Sequence, residues 1–156
     1  MREILRRATV GAALGAAVVG GLTFAAGPAS AAGWGCSGTE VSGSPYALTT
    51  SSGAVYSYAH LFYDSATGNN CAVNVKAGSL YGVASYTDVT LYECSGDTPG
   101  QCSEIMVAPD ESKTYKYWAG PVTVPGRGHC VRLFAETDNA AGSVDATYDS
   151  AVGFHC

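Results

Sequence analysis

Three histidines and six cysteines are the residues of this 156-residue chain best suited to chemistry, and four of them form two adjacent pairs, His129-Cys130 and His155-Cys156. Such pairs raise the question of zinc. Neighbours on an extended strand point to opposite faces, so one pair does not readily aim both groups at one ion. No Cys-x-x-Cys or His-x-x-x-His spacing occurs either, and no metal or other cofactor is expected. A Ser-His-Asp site would have to use His60, His129 or His155, and none stands beside a nucleophile signature. The chain has no Gly-x-Ser-x-Gly elbow, His-Glu-x-x-His, phosphate loop or dinucleotide fingerprint. A glycosidase needs two facing carboxylates. The paired acids here, Asp110-Glu111 and Glu136 with Asp138, fall at turns and strand ends, where such groups are ordinarily solvated. Asp64 to Asn70 has some look of a calcium loop, but the twelfth position, which needs glutamate, is Val75. The chain reads as a non-enzyme.

The cysteines suit a different chemistry. Cys36, Cys71, Cys94, Cys102, Cys130 and Cys156 are even in number and follow what looks like an export signal, so disulfides are expected. Fifteen connectivities are formally open. Cys94 and Cys102 bracket a turn-rich loop, Ser95 to Gln101, which favours a local bridge, and a bridge from Cys156 would pin an end that otherwise frays. The favoured set is Cys36–Cys71, Cys94–Cys102 and Cys130–Cys156.

The export signal has three parts. Arg2, Arg6 and Arg7 precede an apolar run from Ala8 to Ala26, and Gly27-Pro28 leads to the small residues Ala29-Ser30-Ala31. A membrane anchor would need roughly 20 firmly apolar residues, whereas this run is diluted by glycine and alanine. Residues 1–31 are therefore expected to be cleaved, leaving 32–156 as a single secreted domain. The mature part holds five basic and twelve acidic residues, net −7. Such a balance has no electrostatic footprint for nucleic acid or for an anionic membrane surface.

Alternation dominates the mature sequence. Val55, Ser57, Ala59, Leu61 and Tyr63 alternate with Tyr56, Tyr58, His60 and Phe62; a Gly/Asn-rich turn follows, then Cys71 to Lys76 alternates again. That is a hairpin pattern. Further runs span Val83 to Cys94, Ser103 to Ala108, Lys113 to Ala119, Pro121 to Val124, Cys130 to Glu136 and Ser143 to Tyr148. No sustained helical period appears, so an all-β sandwich or small barrel of about seven to nine short strands is expected.

Ten tyrosines and two tryptophans are the most suggestive content. Tyr56, Tyr58 and Phe62 share one predicted strand face, and Tyr115, Tyr117 and Trp118 lie on or near another. Aromatic sheet faces bind sugars or proteins because the ring offers apolar area and a polar tip, although tyrosine also suits half-buried strands for structural reasons alone. Asp97, Thr98, Pro99 and Gly100, inside the expected Cys94–Cys102 bridge, form a second candidate, a binding loop.

The stretch Val55 to Val75, with Tyr63-Asp64-Ser65-Ala66-Thr67-Gly68-Asn69-Asn70-Cys71, resembles spore-associated protein A of mycelial actinobacteria. So does Tyr115 to Cys130, with Trp118-Ala119-Gly120-Pro121-Val122 leading to Gly128-His129-Cys130, and so does the early Cys36-Ser37-Gly38. The resemblance implies a small exported protein found with spores and aerial growth, with no catalytic site. It also implies four family cysteines at Cys36, Cys71, Cys130 and Cys156, in support of the favoured pairing. Cys94, Cys102 and the loop between them depart from that pattern. The expected role is a structural or binding protein of the spore or extracellular surface, with a protein or surface component as partner. Two other roles fit the same features: an adaptor subunit of a larger secreted, toxin-type complex, and an inhibitor of a secreted hydrolase presenting the stapled loop.

Overall fold

The computed structural model describes residues 33–110 and 114–156. The expected export signal, 1–31, lies outside the described residues, as do Glu111 and Lys113. Ten strands are present among the described residues: β1 (Thr39–Glu40), β2 (Tyr46–Thr49), β3 (Val55–Asp64), β4 (Asn69–Lys76), β5 (Ser85–Cys94), β6 (Glu104–Pro109), β7 (Thr114–Tyr115), β8 (Trp118–Pro125), β9 (Val131–Asp138) and β10 (Asp145–Asp149). All their pairings are antiparallel, in the order β6-β5-β9-β10-β2-β3-β4-β8, with β1 on β3 and β7 on β5. This sheet curls until β8 lies against β5 and β6, giving a nearly closed barrel. The all-β expectation holds, and curling rather than stacking of two sheets is how this chain covers its apolar face.

Inward positions follow from alternation. Ser57, Ala59 and Leu61 of β3, Val89 and Leu91 of β5, and Val131, Leu133 and Ala135 of β9 have no exposed surface. With Leu48, Ala72, Val124 and Ala146, all of these but Ser57 form one apolar core. Each leucine buried there contributes about 1.5–3 kcal/mol relative to remaining in water. A smaller cluster lies outside the barrel wall, where Trp34 and Cys36 cover Phe62, Cys71, Val73 and Val75 on β3 and β4.

The barrel's two ends differ in chemistry. β5 and β8 run in the same direction from an end that carries Lys76, Ser85, Tyr115 and Trp118 toward an end that carries Cys94, Cys130 and Pro125. All three bridges expected from the sequence are formed, Cys36–Cys71, Cys94–Cys102 and Cys130–Cys156. The second and third join segments at the latter end, and Cys71 lies near the β4 terminus that begins there. At the other end the interior turns polar. Asn74 reaches from β4 across the barrel and donates its Nδ2 to Asp88 O (2.9 Å), Glu136 O (3.0 Å) and Thr137 Oγ1 (3.0 Å). Ser57 and Thr137 join hydroxyls at 2.8 Å. Lys76, only 2% exposed, donates to Val83 O (2.7 Å), Ser85 Oγ (2.6 Å) and Tyr115 O (3.0 Å). Three donors meet three neutral acceptors, which satisfies the ammonium where burial would otherwise be costly. Burial holds its pKa below the usual lysine value.

Asp110 spans the seam where the sheet nearly closes. Its backbone N–H donates to Val89 O at 2.9 Å, and its carboxylate accepts from Tyr115 Oη at 2.5 Å and from the Gly120 N–H. The expectation that this acid is solvated is therefore corrected: Asp110 is 8% exposed and bonds β8 to the end of β6. Gly120 permits the approach, because a Cβ there would come within 2.9 Å of Ala72 O and 3.2 Å of Val89 Cγ1. The expected run Lys113 to Ala119 is in fact broken. Tyr117 O accepts from Lys76 N, and a fresh strand starts at Trp118 and continues through Pro121 to Pro125.

Candidate functional site

Aromatic residues gather on the outer wall at the lysine end. Tyr58 of β3 pairs with Val75 of β4, and Val75 pairs in turn with Trp118 of β8, so the three share one face. Tyr117 packs beside Trp118 with ring centroids 6.2 Å apart, and Tyr81 meets Tyr117 edge-on at 5.0 Å. These rings are unusually open: Tyr58 is 38% exposed, Trp118 37%, Tyr117 45% and Tyr81 54%. A shallow depression of about 270 Å³ runs beside them, lined by Tyr115, Lys116, Tyr117, Trp118 and Gly120.

The support beneath the cluster comes from Lys76. Its ammonium holds Val83 O and Tyr115 O together, and these carbonyls belong to the segments that carry Tyr81 and Tyr117. Gly82 N also donates to Lys116 O at 2.8 Å. The segment before β5 and the segment around Tyr115–Tyr117 are thus joined by three hydrogen bonds. Rings held in place lose little conformational entropy when a partner covers them.

Of the six aromatics expected as a binding face, the structure brings three together in the open: Tyr58, Tyr117 and Trp118. The other three are structural. Phe62 is 5% exposed and packs with Trp34 outside the wall. Tyr56 and Tyr115 are partly buried against the main core, and Tyr115 spends its hydroxyl on Asp110. The reason for Tyr56 is a register shift between Leu48 and Thr49, which breaks the regular pairing of β2 with β3 beside it. Tyr81 was missed because it lies in a turn rather than an alternating run; its signal was the sequence Tyr81-Gly82 just ahead of β5.

The candidate loop lies at the opposite end. Asp97, Thr98 and Pro99 are exposed and Gly100 is half-buried. Beyond the Cys94–Cys102 bridge, Gly100 exchanges two backbone bonds with Gly153, at 3.0 and 2.6 Å. The loop is thereby tied to the chain's last residues as well as to β5.

The histidines each have a partner that explains them. His60 Nδ1 lies 2.7 Å from Glu40 Oε1, with its ring against Trp34. His129 Nδ1 lies 2.6 Å from Glu93 Oε1, and His155 Nε2 lies 2.9 Å from Tyr46 Oη. Burial lowers the pKa of His155 and pushes Tyr46 up to about 12, with Tyr148 and Glu40 adding to the latter. Cys130 and Cys156, the sulfurs of both His-Cys pairs, are bonded to each other and so are closed to a metal ion. Asp64 caps the β3–β4 turn by accepting from Ala66 N at 2.9 Å, and this bond lowers its pKa. Glu136 and Asp138 lie on β9, and Asp138 is raised by burial and then by Asp145.

Neither a family model, nor a curated protein, nor a solved structure matches this chain.

Proposed function

We propose that this protein is a secreted, non-catalytic binding protein of an extracellular or spore surface, engaging a protein or surface component through Tyr58, Tyr81, Tyr117 and Trp118. The observation that carries the proposal is the openness of Tyr81, Tyr117 and Trp118, packed together above a hydrogen-bonded base, with Tyr58 exposed on the same face. Large rings are costly to leave in water, and exposed clusters of them mark interaction sites. Three disulfides suit an oxidising compartment, and among the described residues no helix is long and apolar enough to cross a membrane.

The test is a sedimentation assay of purified protein with spores and with vegetative envelopes, comparing the native sequence with Tyr117→Ala/Trp118→Ala. Retention of the native protein and at least tenfold weaker retention of the variant are expected, since aromatic contacts of this kind dominate binding energy. Equal retention of both would overturn the site, and no retention by either surface would overturn the role.

Two other roles have an observation each. An adaptor is favoured by β6, a terminal strand on which Ile105, Met106 and Val107 are 55%, 45% and 48% exposed, the kind of edge that accepts a partner strand. An inhibitor is favoured by the exposed, doubly tied loop Asp97–Pro99. Deleting 97–100 abolishes binding in the last case and leaves it intact in the others.

A further inference from the structure

The disulfide end of the barrel has a mouth of its own, and it is built from different groups. A cleft of about 390 Å³ opens there, lined by Val41, Tyr63, Asn70, Asp97, Gly126 and His155 among others. Its size falls in the range of about 300–1,000 Å³ typical of small-molecule sites. Tyr63 and Asn70 are cross-strand partners on β3 and β4, so an aromatic ring and an amide stand side by side at its wall.

Asn70 is the informative residue. It is 1% exposed, and its buried Nδ2 has no hydrogen-bond partner among the described residues. A buried amide donor left unmade costs about 1–3 kcal/mol, a cost that an acceptor bound in the cleft would remove. Gly126 makes room for it. A Cβ at that position would fall 1.8 Å from Nδ2, and the Gly126 backbone is fixed by its bond to Gly68 O at 2.9 Å. The terminal torsion of asparagine is soft, and a turn about it is the movement that would bring Nδ2 to a bound ligand.

The remaining groups narrow the ligand. Asp97 offers acceptors only, and its negative charge disfavours an anion. Arg127, between the lining residues Gly126 and Gly128, has its Nη2 donating to Ser65 O and Ala66 O at 3.2 and 3.4 Å. Burial lowers the pKa of His155, and its ring is already bonded to Tyr46. A hydroxyl can both accept from an amide and donate to a carboxylate, and Tyr63 adds a flat apolar surface beside it.

We propose that this mouth is a binding site for a neutral polyhydroxylated ligand, a sugar ring or polyol, with one hydroxyl oxygen accepting from Asn70 Nδ2 and further hydroxyls facing Asp97. The site is separate from the aromatic cluster and stands or falls independently of it.

The test is titration of the disulfide-intact secreted protein with glucose, N-acetylglucosamine, glycerol and glucose 6-phosphate, followed by the side-chain amide resonances in ¹⁵N-correlated NMR spectra. Neutral sugars are expected to shift the Asn70 amide, with glucose 6-phosphate binding more weakly than glucose. Asp97→Asn, an exposed loop substitution that leaves the fold intact, is expected to weaken glucose binding about tenfold, as for one charge-assisted hydrogen bond. Gly126→Ala, which displaces Asn70, is expected to remove the response. Any of three results would overturn the proposal: an Asn70 resonance unmoved by every ligand, preferential binding of the phosphorylated sugar, or a sugar response abolished by Trp118→Ala but not by Asp97→Asn. An Asn70 amide that shows transfer from water and no displacement by sugar would assign the cleft to a structural water and overturn it equally.

Discussion

The two ends of this barrel are fastened by opposite means. At the disulfide end the chain is held covalently: Cys94–Cys102 and Cys130–Cys156 close short segments, and Cys36–Cys71 fastens the outer cover. At the lysine end no cysteine is present, and the walls are joined by polar groups directed inward from β4, with Asp110 across the seam. Covalent links act largely by restricting the unfolded chain. A buried ammonium or carboxylate acts only in the folded state, and only while every partner is in place. The lysine end is thus the one whose shape depends on the whole fold being formed, and it is also the end that displays the aromatic cluster.

The comparison can be broken at several points. The largest effect is expected from Cys36→Ser/Cys71→Ser, where a separation of 35 residues implies a loss of about 4 kcal/mol from chain entropy. Cys94→Ser/Cys102→Ser, with a separation of 8, should cost only about 2.5 kcal/mol in the same urea titration. Between these two lies Lys76→Met, which keeps the stem's volume but leaves Val83 O, Ser85 Oγ and Tyr115 O without their donor. About 3 kcal/mol is expected, together with a changed environment for the Tyr81 and Tyr117 rings by NMR. A neutral outcome would mean that apolar packing, not the ammonium, holds that end. Asp110→Asn keeps the size of the side chain and removes its charge, and should cost about 2 kcal/mol of stability by thermal or urea unfolding.

A pH titration separates the ends without mutation. Tyr46, near the disulfide end, has its pKa raised from 10.0 to about 12 in the fold. Below pH 10 it is protonated folded or unfolded; as pH rises from 10 toward 12 the unfolded state loses its proton first, and stability falls. The loss should be on the order of 1 kcal/mol, because the hydroxyl remains partly solvated, and Tyr46→Phe should remove it. Lys76 works in the other direction. Its folded pKa lies below 10.5, so stability rises with pH between that lowered value and 10.5, a rise that Lys76→Met abolishes. The smallest effect on stability is expected from Trp118→Ala, within about 0.5 kcal/mol, since an exposed ring off the core contributes little to folding. That same substitution should sharply reduce surface binding, and a large loss of stability would show the cluster to be structural.

Much of the wall was legible in the sequence because strand alternation is a local property. Ser57-Ala59-Leu61 and Val131-Leu133-Ala135 are read correctly from their neighbours alone. The short strands β1 and β2 were not, since the segment from Ser37 to Gly53 is rich in serine, threonine and glycine and becomes extended only by pairing with β3 and β10. Tyr58 and Phe62 carry the same alternation signal, yet one is open and the other covered. What separates them is the Trp34–Cys36 segment, which folds back over β3 near Phe62 and stops short of Tyr58.

The amino-acid sequence alone determined that this is an all-β protein with three disulfides, because alternation, turn residues and cysteine spacing are carried by residues close to one another. Only the tertiary structure decided that the sheet curls into a barrel, that Lys76 and Asp110 are buried as fasteners, that Tyr81 joins Tyr117 and Trp118, and that Asn70 is buried in the wall of a cleft beside Gly126. Those outcomes depend on which distant strands meet when the sheet closes on itself. A single polar residue carries the same letter whether it ends in water or against three carbonyls, and the closing of the wall is what selects between the two.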